Sequence, residues 1–170
     1  MSIIKKITIL LGIFFISGVG QVSAQEIKKI GKYKDWEAMV VMDADGKVCF
    51  AQSLPILQAP KTNKRDAKLF VAFRPNDNIK NEVSVTPGYE FNKNNSVTAA
   101  SGKNKFKFDI KEQGFAWIAD NKIELKMIKQ MRKGSRIMIT GYNQQGSQTI
   151  DHYSLLGFTK AYNASRKACS

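Results

Sequence analysis

KNKFKFDI, residues 103–110, is the stretch that decides the fold class. Phe106, Phe108 and Ile110 alternate with Lys105, Lys107 and Asp109. In an extended chain the first three side chains face one side and the last three the other, the pattern of a half-buried strand. Ser101-Gly102 before it and Gly114 after it supply turn chemistry, and Phe115 to Ile118 follows as another strand.

The same reading extends in both directions. Asp35 to Met42 and Lys47 to Leu54 are strands separated by the turn Asp43-Ala44-Asp45-Gly46, a hairpin signature. Pro55 and Pro60 bracket a loop that runs on to Asp66, and Leu69 to Phe73 is a compact apolar strand stopped by Arg74-Pro75. Glu82 to Thr86 and the weaker Ser96 to Ala100 come next. Arg136 to Tyr142 and Thr149 to Leu155 form a second hairpin around the Asn143-to-Gly146 turn.

Two segments carry helical spacing instead. Lys122 to Lys133 has Asn121 as its N-cap, Glu124 three residues on and Gly134 as its stop. Ile123, Met127 and Met131 stack on one face, widened by Leu125 and Ile128, while Lys122, Lys126, Lys129 and Lys133 recur on the other. From Phe158 to Cys169, the residues Phe158, Ala161, Tyr162, Ser165 and Cys169 share a face. The expected fold is mainly β: a single-domain antiparallel β-sandwich or irregular barrel with two amphipathic helices, the last at the C-terminus.

The first 24 residues, MSIIKKITILLGIFFISGVGQVSA, read as a signal peptide. Lys5 and Lys6 form the positive region, Ile7 to Ile16 the apolar core, and Val22-Ser23-Ala24 the cleavage pattern. The apolar run falls short of the ~20 residues of a membrane span. Residues 25–34 read as a short Lys-rich lead-in without periodicity, a candidate for disorder, and residues 35–170 as the β domain. The leader holds two of the 27 basic residues and none of the 14 acidic ones, so the remaining 146 residues carry +11. Such a charge favours anionic partners: lipid headgroups, lipopolysaccharide or acidic glycans in an exported protein. Solubility alone is the plainer account of it.

Cys49 and Cys169 are the two cysteines, and an even count in an exported chain suggests a disulfide. Two separately buried thiols are the alternative.

Catalytic chemistry finds little to work with. His152 is the lone histidine, beside Asp151 in a strand, and no strained Gly-x-Ser-x-Gly turn is present. One histidine and two distant cysteines do not make a zinc site, and Asp43-Ala44-Asp45-Gly46 lacks the remaining ligands of a calcium loop. No catalytic residue, metal ligand or cofactor is assigned. Lys103, Lys105 and Lys107 interleave with Phe106 and Phe108, but alternation puts cations and rings on opposite faces, so nucleic acid is not an expected partner. The helical lysines Lys122, Lys126, Lys129 and Lys133 are candidate contacts to an anionic surface.

The segment Ser154-Leu155-x-Gly157-Phe158-x-x-Ala161 resembles the closing signature of the invasion-associated locus B family, exported proteins found mainly in alphaproteobacteria. Tyr33-Lys34-Asp35-Trp36 is similar to that family's opening aromatic-x-Asp-Trp, and Lys47-Val48-Cys49, Phe73-Arg74-Pro75, Asn81 to Val85, Lys133-Gly134-Ser135 and Lys167-Ala168-Cys169 continue the likeness. Many members carry further cysteines in mid-domain, and this chain has only the outer two. The resemblance implies a protein of the periplasm or outer membrane, with surface exposure as a further option, linked by name to entry into host cells. It brings no catalytic residues. The expected function is that of an exported, non-enzymatic envelope protein that binds an envelope or host component during invasion. The alternative is a structural or chaperone-like periplasmic factor supporting envelope integrity.

Overall fold

A computed structural model describes residues 27–43, 46–62 and 64–170, so the expected signal peptide lies outside the described residues. Among the described residues, twelve strands form two antiparallel sheets. The seven-stranded sheet is ordered β1 (Ile27–Tyr33), β2 (Trp36–Asp43), β3 (Gly46–Ser53), β5 (Lys68–Arg74), β6 (Ile79–Thr86), β10 (Phe115–Trp117), β9 (Ile110–Glu112). The five-stranded sheet is ordered β4 (Leu57–Ala59), β12 (Gln148–Ser154), β11 (Arg136–Tyr142), β7 (Val97–Ser101), β8 (Asn104–Phe108). The result is an open sandwich rather than a barrel, because among the described residues each sheet ends in unpaired edge strands.

The inner faces follow from the period-two pattern. Ala51, Leu69, Val71, Val83 and Val85 of the first sheet meet Val97, Ala99, Phe108, Ile137 and Tyr153 of the second in one core. Two helices, α1 (Asn121–Lys133) and α2 (Phe158–Ala168), complete it with Met127, Ile128, Met131, Phe158 and Tyr162.

Several expectations need correction. Residues 27–33 of the supposed lead-in form β1, which pairs antiparallel with β2. A register shift between Lys29 and Gly31 breaks the alternation that would have revealed the strand. The Pro55-to-Asp66 loop holds β4, joined to β12 through Ala59, Gln58 and Leu57. The run from Lys103 to Ile110 is not one strand. It divides at Asp109, whose N–H donates to the Trp117 carbonyl at 2.8 Å, so β8 and β9 lie in different sheets and Ile110 is exposed rather than inward. The α1 N-cap is Asp120, whose Oδ1 accepts the Lys122 N–H at 2.7 Å, and Asn121 is the first helical residue. The buried stripe of α1 is Glu124, Met127, Ile128 and Met131, spaced i, i+3, i+4 and i+7, which leaves Leu125 exposed.

Cys49 and Cys169 form the disulfide, tying β3 to the residue after α2 across 120 positions of sequence. In the chain-entropy account, so long a loop stabilises the fold by about 4–5 kcal/mol. Replacing both cysteines by serine is expected to lower Tm by roughly 10–20 °C in a calorimetric scan. A drop under about 3 °C would contradict the role given to the bond.

Candidate functional site

The signature residues converge on a structural junction. Trp36 opens β2, is fully buried, and donates its indole N–H to the Ser154 carbonyl at 2.8 Å. Its ring meets Phe158 edge-on, with centroids 4.8 Å apart. The Ser154 hydroxyl accepts the Leu156 N–H, and Leu155 and Ala161 are buried in the core. Gly157 has φ of +93°, and a side chain there would place Cβ 1.7 Å from the Tyr33 carbonyl oxygen. Only glycine permits both that conformation and that approach. The motif joins the start of β2 to the β12–α2 turn and offers no reactive group to solvent.

Asp151 and His152 separate as strand geometry demands. Asp151 faces inward and is held by both terminal nitrogens of Arg65, at 2.6 and 2.9 Å, inside a nearly solvent-free ion pair. His152 points to the opposite side of β12, so the two neighbours do not form an acid–base pair. Among the described residues, no three His, Cys, Asp or Glu side chains gather to hold a metal. No helix among them is long and apolar enough to cross a membrane.

The most distinctive surface lies where α1 runs beside β8. An open groove of about 630 Å³ separates them. Lys105 and Lys107 line it from β8, and Lys126, Lys129 and Lys133 from α1. Phe106 and Ile123, both partly buried against the core, form its apolar floor. Asp109 is the single carboxylate in the lining, 4.0 Å from the Lys107 amine. Five lysines against one aspartate make the groove strongly cationic. Three of the four helical lysines picked from the sequence therefore belong to this site, while Lys122 is exposed outside its lining. β8 turns its own lysines away from its rings. The cations missing from the Phe106 side come from another element, α1, which alternation within one strand does not reveal.

Glu124 fastens this helical wall. Its Oε1 accepts the Val83 N–H of β6 at 2.8 Å, and the side chain is buried. A second tether, from Gln130 Nε2 to the Ser101 carbonyl, holds the far end of α1 to β7. Burial pushes the Glu124 carboxyl up to about 7; the Val83 N–H opposes that rise, and the nearby Glu82 and Asp120 carboxylates add to it. In the unfolded chain the group ionises near 4.5. Its contribution is therefore complete below pH 4.5 and is lost as pH rises towards and through 7, by up to about 3 kcal/mol. Glu124→Gln keeps an acceptor for Val83 and removes the titration. Denaturant unfolding is expected to show the variant gaining about 2–3 kcal/mol on wild type between pH 4.5 and pH 8. A pH-independent difference would contradict the assignment.

Comparison with known proteins agrees with this architecture. The sequence pattern described as Invasion associated locus B (IalB) protein matches residues 36–166. A search of curated proteins finds no match. Among solved structures, invasion associated protein B from Bartonella henselae is similar in fold. Its TM-score is 0.55 at 14% identity, covering 86% of this chain and 98% of that one. The family pattern begins at the buried Trp36 and runs through the Ser154–Ala161 junction into α2. The chain belongs to the invasion associated locus B family.

Proposed function

We propose that this protein is an exported, non-catalytic component of the cell envelope that works by holding an anionic partner in the groove between α1 and β8. The observation that carries the reading is the convergence of Lys105, Lys107, Lys126, Lys129 and Lys133 around an apolar floor. Electrostatic attraction brings such a partner in, and Phe106 and Ile123 add contact area that a purely solvated lysine face lacks.

Export is supported by the leader-like residues 1–24 and by a disulfide of the kind that persists in oxidising compartments. The binding reading is favoured over catalysis because Asp151 is committed to Arg65 and His152 stands apart from it. The name of the family, and of the Bartonella henselae protein, suggests that the partner is met during entry into a host cell.

A charge-matched comparison tests the groove. One variant changes Lys105, Lys126, Lys129 and Lys133 to Gln; the other changes four exposed lysines elsewhere, Lys28, Lys61, Lys93 and Lys160. Both lose the same net charge. Titration of heparin, as a defined polyanion, is expected to give at least a tenfold weaker Kd for the first variant and less than a threefold change for the second. Equal losses would assign the binding to overall charge and overturn the proposal.

A further inference from the structure

The groove has a wall that charge alone does not explain. β8 ends its sheet, and no described strand pairs with its outer edge. The β7–β8 hairpin closes on the pair Ser101–Asn104 through the two-residue turn Gly102–Lys103, with Gly102 at φ +59°. In such a hairpin the closing pair is hydrogen-bonded and the ladder alternates from there. Ala99–Phe106 and Val97–Phe108 are then the remaining bonded pairs, and the register runs to Phe108 without a shift. Lys105 and Lys107 fall at the alternate positions. Their backbone N–H and C=O groups point away from β7 and into the groove that both residues line.

From this geometry, and resting on the reading of the groove as a binding site, we infer that the occupant is an extended acidic peptide segment that adds to β8 as a sixth strand. Two donors and two acceptors set along one edge require a partner presenting both, in register. A peptide backbone does so, whereas a phosphate or sulfate accepts from N–H groups and has nothing to offer the carbonyls. The five residues of β8 give room for a segment of about 17 Å, or roughly five residues.

Lysines on an edge strand commonly protect it from pairing with another copy of itself. Here the same charges act as a filter. A second β8 brings Lys against Lys and is repelled, while a strand bearing Glu or Asp on the face of Lys105 and Lys107 meets opposite charge. Alternate side chains of the added strand would face Phe106 and Ile123, so the favoured segment alternates acidic and apolar residues.

The test uses the disulfide-bonded protein lacking residues 1–24 and a synthetic ten-residue peptide of alternating Glu and Val. Two further versions of the peptide carry N-methyl groups on the amides of one edge or of the other, which alters hydrogen bonding and leaves the charge unchanged. Binding is read by fluorescence anisotropy, and amide exchange at Lys105 and Lys107 by NMR. The inference expects saturable binding, at least a tenfold loss with one methylated edge and little with the other. It also expects slower exchange at Lys105 and Lys107 in the complex. Equal binding by both methylated peptides, or unchanged exchange at those two amides, would overturn it. Failure of the peptide to bind while heparin or phosphatidylglycerol vesicles bind through the groove lysines would also sink strand addition, yet leave the anionic-partner reading standing. Loss of all three interactions would remove both.

Discussion

The contact between Trp36 and the chain around Ser154–Phe158 is the constraint on which the rest of this structure depends. It joins residues 118 positions apart through one buried indole hydrogen bond. It adds an edge-on ring contact with Phe158 and a glycine that admits the Tyr33 carbonyl where no side chain fits. The Asp35 N–H reaches the Leu156 carbonyl beside it. With these in place, the β1–β2 turn and the β12–α2 turn are locked together, and the two sheets acquire a fixed relation. Leaving a buried indole N–H unpaired costs about 1–3 kcal/mol, so the junction has little tolerance for partial formation.

From that lock, α2 is launched along the inner side of β2, β3 and β5, with Phe73 edge-on to Tyr162 at 5.2 Å. The Cys49–Cys169 bond then closes the far end of the helix onto β3. The two ties act at opposite ends of α2 and through different physics. One orders the native state by packing and hydrogen bonding, and the other restricts the unfolded chain. Glu124 ties α1 to β6 and Gln130 ties it to β7, and the cationic groove lies between α1 and β8. The family's sequence motif thus belongs to the scaffold, and the candidate binding surface lies on lysines outside it.

Much of the fold was legible in the sequence because alternation and turn chemistry act locally. The hairpins at Trp36–Ser53 and Arg136–Ser154 and the two helices follow from spacing that the structure retains, and the cysteine pairing follows from an even count in a chain that reads as exported. Two of the failures share one cause: a distant backbone group outweighed a local pattern. Asp109 leaves the KNKFKFDI alternation because its N–H is taken by Trp117. Glu124 looked like a helix-capping residue, but the Val83 N–H of another strand claims it. β1 hid behind an irregularity between Lys29 and Gly31. The groove was half legible. Its lysines stood out on α1 and β8 separately, and only the tertiary arrangement brings those of α1 to the same side as Phe106.

The junction can be interrogated directly, because the chain has only two tryptophans and their indole protons are separately resolvable. Hydrogen–deuterium exchange of the Trp36 indole N–H, followed by NMR against that of the partly exposed Trp117, measures whether the contact opens on its own. The account predicts that Trp36 exchanges only through global unfolding, with a protection free energy matching the denaturant-derived stability. Exchange as fast as that of Trp117 in the folded protein would contradict it.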